Sequence, residues 1–199
     1  MNILVLLAHP NKSSFNHAIA AECLKALDEN GHDVEFRDLY DEQFDPVLPY
    51  EEISRQGRVP DSVREHGEQF VQADGIIIVH PTWWGQPPAI LKGWIDRTIR
   101  PGEAYEYVPQ ANGLGRPRGL IRARAAMVFN TGNSPAIGPV NEYEDPLQTL
   151  WRDVVFGVCG VHHFHRRVFG PVIISTRQQR IQWLEHAHAD VASTFPQTN

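Results

Sequence analysis

Apolar residues first appear as one unbroken run, Ile3 to Ala8, the pattern of a parallel strand buried on both faces. After the polar stretch His9 to Ser13 they return at helical spacing as Phe15, Ile19, Cys23 and Leu27. Gly31 stands where a C-terminal cap belongs. Val34 to Asp38 reads as a second strand, with Val34 and Phe36 on one face. Ser62 to Ala73 reads as a helix weakened by Gly67. Gly75 to His80, β-branched and bounded by Asp74 and Pro81, is the clearest strand in the chain. Pro87-Pro88 opens a helix whose inner face is Ile90, Leu91, Trp94, Ile95 and Thr98. Ala125 to Asn130 reads as the fourth strand. Asp145-Pro146 reads as the N-cap and first position of a helix that turns Leu147, Leu150, Trp151, Val154 and Val158 inward and ends at Gly160. Val172 to Ser175 reads as the fifth strand, and Thr176 or a neighbour caps a last helix that runs to about Thr194. Strands alternating with helices predict an α/β fold: a doubly wound, five-stranded parallel sheet with helices on both faces and right-handed crossovers.

Composition narrows the picture without redrawing it. With 199 residues, 42% of them hydrophobic and no linker-like stretch, residues 1–199 are expected to form one globular domain. A net charge of −6 argues against a nucleic-acid surface and points to small-molecule partners. The opening MNILVLLAHP has no basic flank, and its apolar run stops at Ala8, so neither a secretion signal nor membrane insertion is expected. The two cysteines, Cys23 and Cys159, form no CxxC, which removes a disulfide framework and a thiolate zinc site. A cytoplasmic protein is the expectation.

In doubly wound sheets, ligands bind beyond the carboxyl ends of the strands. Three segments fall there. The first runs from His9 to Asn16. It places Ser13 and Ser14 at a helix start, where free N–H groups, the helix dipole and the hydroxyls suit a phosphate, although either serine alone would serve as an N-cap. The second, His80 to Pro88, carries Trp83 and Trp84, which could flank a flat ring or seal the core, and Gly85, which allows close backbone approach. The third, Asn130 to Pro135, supplies small polar turn residues. A loop of about twenty residues (100–119) carries Tyr105 and Tyr107 at i, i+2, the mark of a folded flap rather than loose chain. His162, His163 and His165 have no carboxylate nearby in sequence and read as a solvated strand before a metal site. There is no GxGxxG, P-loop or GxSxG.

Taken together, AHPNKSSFNHAI, HPTWWGQPPAILKGWIDR, GEAYEY and NTGN resemble the flavodoxin-like NAD(P)H:quinone oxidoreductases, the group of DT-diaphorase and the bacterial drug-activity modulators. The tract from Pro88 to Arg97 is the most specific part. The resemblance implies strand order 2-1-3-4-5 and a homodimer with its sites at the subunit interface. It also implies a bound flavin, FAD in preference to FMN because SSFN is closer to the FAD-binding members. Hydride would pass from NAD(P)H to a quinone by ping-pong exchange. On that resemblance His9, Ser13, Ser14, Phe15 and Asn16 match the loop for the flavin phosphates. Pro81, Thr82, Trp83, Trp84 and Gly85 match the segment along the ring system, with Trp84 also facing substrate. Thr131, Gly132 and Asn133 match the threonine-glycine turn, and Tyr105 and Tyr107 the tyrosine pair offered to the other subunit's substrate pocket. Tyr143 is a loose match to the family's catalytic tyrosine, and no histidine stands between Asn133 and Val161. Two other readings remain at this level: a regulatory flavoprotein subunit of a potassium-efflux-type transporter, and a one-electron flavodoxin-like carrier. The second is usually more acidic, and lacks a tyrosine flap.

Overall fold

The computed structural model describes residues 1–54, 57–110, 113, 115–133 and 145–197. Its core is a parallel sheet built on β1 (Asn2–Leu7), β2 (Asp33–Asp38), β3 (Gly75–Pro81), β6 (Ala125–Thr131) and β7 (His163–Phe169), in the order β2-β1-β3-β6-β7. Between β3 and β6 the chain adds an antiparallel hairpin, β4 (Tyr105–Pro109) and β5 (Gly115–Gly119). With the hairpin set aside, the order is the expected 2-1-3-4-5.

The period of two along each strand sorts the apolar runs between two cores. Ile3, Val5, Leu7, Ile77, Val79, Met127 and Phe129 face α1 (Phe15–Glu29) and α6 (Arg177–Thr194). Leu4, Leu6, Ile76, Ile78, Ala126 and Val128 face α2 (Asp61–Gln72), α3 (Ala89–Thr98) and the helical run from residue 146 to 159. Covering both faces is what allows β1 and β3 to be apolar throughout. Each such side chain contributes about 2 kcal/mol by leaving water.

Two expectations are corrected. The fifth strand is β7, not residues 172–175, which lie in a loop with Ile173 and Ile174 exposed. β7 pairs on one side only, with β6. An edge strand therefore tolerates HFHRRVF, where His165 and Arg167 pair with Asp190 of α6, while the β-branched run after it mimics a strand. The second correction concerns the helix after Asp145. It begins as α4 (Pro146–Thr149), passes through a π-helical stretch (Leu150–Phe156) and ends in α5 (Gly157–Cys159). A π-turn holds an extra residue, so the inner face advances by one. Val155, Phe156 and Cys159 are buried, and Val154 is exposed. Gly160 closes the run with a φ of 89°, a left-handed position suited to glycine.

The stretch between β2 and α2 makes an excursion that the sequence did not announce. It is held by α3: Arg97 donates to both oxygens of Glu52 at 3.0 and 2.6 Å and to the Asp45 carbonyl at 2.6 Å. Gly93 makes the contact possible, because a Cβ there would lie 2.1 Å from the Pro46 carbonyl oxygen. Among the described residues no helix is long and apolar enough to cross a membrane.

Candidate active site

The carboxyl ends of β1, β3 and β6 open onto a cleft of about 550 Å³. His9, Phe15 and Asn16 line it from the first loop, Pro81 to Trp84 from the second, and Thr131, Gly132 and Asn133 from the third. Three segments separated in sequence thus meet because adjacent parallel strands end at the same edge. Ser13 stands exposed beside the cleft, and Gly85 sits one residue beyond its lining.

The first loop is shaped by its own side chains. The Asn11 N–H donates to His9 Nδ1 at 3.1 Å, and the Asn11 carboxamide oxygen accepts from the Ser13 N–H at 2.9 Å. Ser14 is the N-cap of α1, its Oγ accepting from the His17 N–H. The same Oγ lies 2.9 Å from His17 Nδ1, and His17 Nε2 lies 3.1 Å from Asp38. Helix geometry leaves the N–H groups of Phe15 and Asn16 for an outside acceptor. Burial lowers the His9 pKa, so the ring is neutral at neutral pH.

Asn16 joins two loops. Its Nδ2 donates to the Thr131 hydroxyl at 2.9 Å, while its buried Oδ1 has no hydrogen-bond partner among the described residues. The second loop is a two-residue hairpin. Trp83 and Gln86 exchange backbone hydrogen bonds of 3.0 Å, and Trp84 and Gly85 both have positive φ, 53° and 71°. That is the requirement of a type I′ turn. A tryptophan in the left-handed region costs about 1–2 kcal/mol, and here the hairpin holds its ring fully exposed. The Thr82 N–H donates to the Thr131 carbonyl at 2.7 Å, which locks the second loop to the third. The third loop is tied in turn to residues 170–173: Val172 N–H to the Gly132 carbonyl, Ile173 N–H to the Asn133 side chain. Val172 also lines the cleft. Assigning it to a strand concealed that role.

Tyr105 and Tyr107 do not line this cleft. Their rings meet edge to face at 5.7 Å on β4, with Tyr105 partly buried against the core and Tyr107 exposed. The hairpin packs through Gly119 onto Cys159, so closely that a Cβ on Gly119 would fall 1.9 Å from the Cys159 carbonyl oxygen. Tyr143 lies outside the described residues, as do Ser134 and Pro135 of the third segment. The pairing of His17 with Asp38 also escaped the sequence reading; the only trace is a histidine one turn after the N-cap serine.

Among the described lining residues, His9 carries the only titratable side chain. The cleft therefore offers donors, hydroxyls and flat aromatic surface rather than a paired acid and base. A family description of the flavodoxin-like fold matches residues 1–191. An uncharacterised NAD(P)H oxidoreductase of Haemophilus influenzae is 33% identical over 94% of this chain and 92% of its own length. NAD(P)H dehydrogenase [quinone] 1 of Rattus norvegicus is 33% identical over 92% of this chain and 73% of its own. Among solved structures, the NAD(P)H:quinone oxidoreductase from Methanothermobacter marburgensis superimposes with a TM-score of 0.80 at 26% identity, covering 100% of this chain and 99% of that one. The chain belongs to the flavodoxin-like family of NAD(P)H:quinone oxidoreductases. For a member of that family, a cleft rich in binding groups and poor in titrating ones is coherent, because a bound redox group carries the electron chemistry.

Proposed function

We propose that this chain is a flavin-dependent NAD(P)H:quinone oxidoreductase that holds FAD in the cleft between residues 9–16, 81–85 and 131–133. The observation that carries this reading is Asn16: a buried carboxamide oxygen with no partner among the described residues, on a side chain lining the meeting point of the three loops, wants a donor from a ligand. The rest of the donor set suits a flavin. First-turn N–H groups of α1 and the Ser13 and Ser14 hydroxyls would hold phosphate oxygens, with the helix dipole favouring their charge. Residues 81–85 would run along the ring, and the 131–133 turn would face its polar edge. A flavin bound there would supply the hydride-transfer chemistry between NAD(P)H and quinone. The chain's part is to orient the ring, present Trp84 to whichever second ligand occupies the pocket, and exclude water.

The protein should purify yellow with one flavin per chain, and the cofactor released by heat should chromatograph as FAD. Recovery of FMN would move the assignment to the smaller flavin, and a colourless protein that takes up neither would overturn the reading. Because nicotinamide and quinone would share one pocket, double-reciprocal plots should be parallel; intersecting lines would contradict the shared site.

The exposed Tyr107 supports a second element of this reading: a homodimer in which the β4–β5 hairpin of one protomer borders the pocket of its partner. Tyrosine offers large contact area for few rotors, and a two-fold axis makes the arrangement reciprocal. Tyr107→Ala should raise the quinone KM several-fold, about 1 kcal/mol of lost aromatic contact. Flavin content and sedimentation as a dimer should be unchanged. An intact dimer with an unaltered KM would remove the hairpin from the pocket.

A further inference from the structure

A buried run of hydrogen bonds begins where β3 delivers the second loop. His80, wholly buried, precedes Pro81, the first cleft residue of that loop. Its Nδ1 lies 2.8 Å from the Pro81 carbonyl oxygen. On the other side of the ring, Nε2 lies 3.0 Å from Trp151 Nε1 and 2.8 Å from Asn130 Nδ2.

The chemistry of the partners sets every proton. An indole N–H can only donate, so Nε2 carries no hydrogen, and Nδ1–H donates to the Pro81 carbonyl. Asn130 is oriented from its far side, where Arg166 Nε donates to Oδ1. A guanidinium has no acceptor, so the amide nitrogen must face His80. Arg166 also donates to Asp145 Oδ2 at 2.6 Å, and Asp145 Oδ1 accepts from the Leu147 N–H as the cap of α4. Donor-only groups, Trp151 and Arg166, thus flank the His80–Asn130 pair on both sides. Burial holds the imidazole pKa at about 4, so this tautomer persists through the neutral range. A proton on Nε2 would point at two donors.

We propose that His80 is a positioning residue of the flavin site, its Nδ1–H fixing the Pro81 carbonyl and with it the 81–85 loop, while Asn130 and Arg166 couple that anchor to the 131–133 turn and to Asp145. The proposal rests on the reading of the cleft as a flavin site. Its competitor is a polar plug that only fills the interior, whose removal would lower stability and nothing else.

Two variants separate these. His80→Phe keeps a ring of similar size and removes the anchor. Asn130→Asp keeps the side-chain shape but offers Nε2 an acceptor, which draws the proton away from Nδ1. In wild-type protein the ¹⁵N spectrum of His80 should show the Nδ1–H form, and in Asn130→Asp a protonated Nε2. In flavin-free protein, amide exchange at Thr82, Trp83 and Gln86 should quicken about tenfold in either variant, while exchange within β1 stays at the wild-type rate. The flavin Kd should rise by about tenfold, the scale of one lost buried hydrogen bond. Wild-type binding of flavin with unchanged Kd and unchanged loop exchange in the variants, whatever their melting temperatures, overturns the anchor. A wild-type protein that takes up no flavin fails differently, overturning the reading of the cleft on which the anchor depends.

Discussion

Gly132→Leu is expected to abolish tight flavin binding while leaving the fold in place. A Cβ built on Gly132 meets no heavy atom within 4 Å among the described residues, and the residue does not occupy the left-handed region, so the backbone accepts a side chain without strain. What the side chain does fill is the cleft, since Gly132 lines it between Thr131 and Asn133. An isobutyl group there takes volume from any flat ligand and pushes it off the loop donors. Loss of one ring edge's contacts should weaken binding by at least about 100-fold, roughly 3 kcal/mol. Titration of flavin-free protein by fluorescence quenching measures the change, and thermal melting confirms the fold. A Gly132→Leu variant that binds flavin as tightly as wild type would place the ring elsewhere. Gly93 provides the contrast: its Cβ would collide with Pro46 backbone, so Gly93→Leu should unfold the α3 contact rather than block a site.

The second large effect belongs to Arg97 and Glu52. Their side chains are 5% and 2% exposed and joined by two charge-assisted hydrogen bonds. Arg97→Met leaves the Glu52 carboxylate buried without a counter-charge, at a cost of about 3–5 kcal/mol. For a chain of this length, that corresponds to a fall of roughly 10 °C in Tm. Arg97→Met combined with Glu52→Leu should recover most of the loss, because an apolar pair of similar volume removes the desolvation penalty along with the attraction. Calorimetry of the two variants gives the comparison; a single variant as stable as wild type would mean that water or another cation reaches Glu52. The pair matters for the cleft because α3 starts just after the Trp83–Gln86 hairpin, and its register is set against the segment that Arg97 holds.

How far the chain could be read depended on where each segment lies in the sheet. β1, β3 and β6 were legible because a central parallel strand is apolar on both faces over six or seven residues, longer than the four-residue run 172–175 that imitated one. β7 was not, because an edge strand is half solvated and its histidines and arginines are satisfied by Asp190, far away in sequence. The helix after Asp145 was legible at its ends, where Asp145 and Gly160 carry local chemistry. Its inner face was misassigned because a π-turn is a tertiary compromise with no residue pattern of its own. The flap's order could be anticipated from two tyrosines at alternate positions, but not that it packs onto Cys159.

By itself the sequence determined the α/β alternation, the Asp145 cap of α4, the short polar stretches from which α1 and α6 take their caps, and the three loops that would carry ligand chemistry. All of these follow from interactions within a few residues: hydrophobic period, N-cap oxygen, the freedom of glycine. The tertiary structure alone decided which polar groups inside the site find partners. Asn16 meets Thr131 and keeps an oxygen without a partner among the described residues, and His80 receives Trp151 from 71 residues away and Asn130 from 50. Which proton sits on an imidazole is settled by the donors that reach it, and those are brought together only when parallel strands from distant parts of the chain lie side by side.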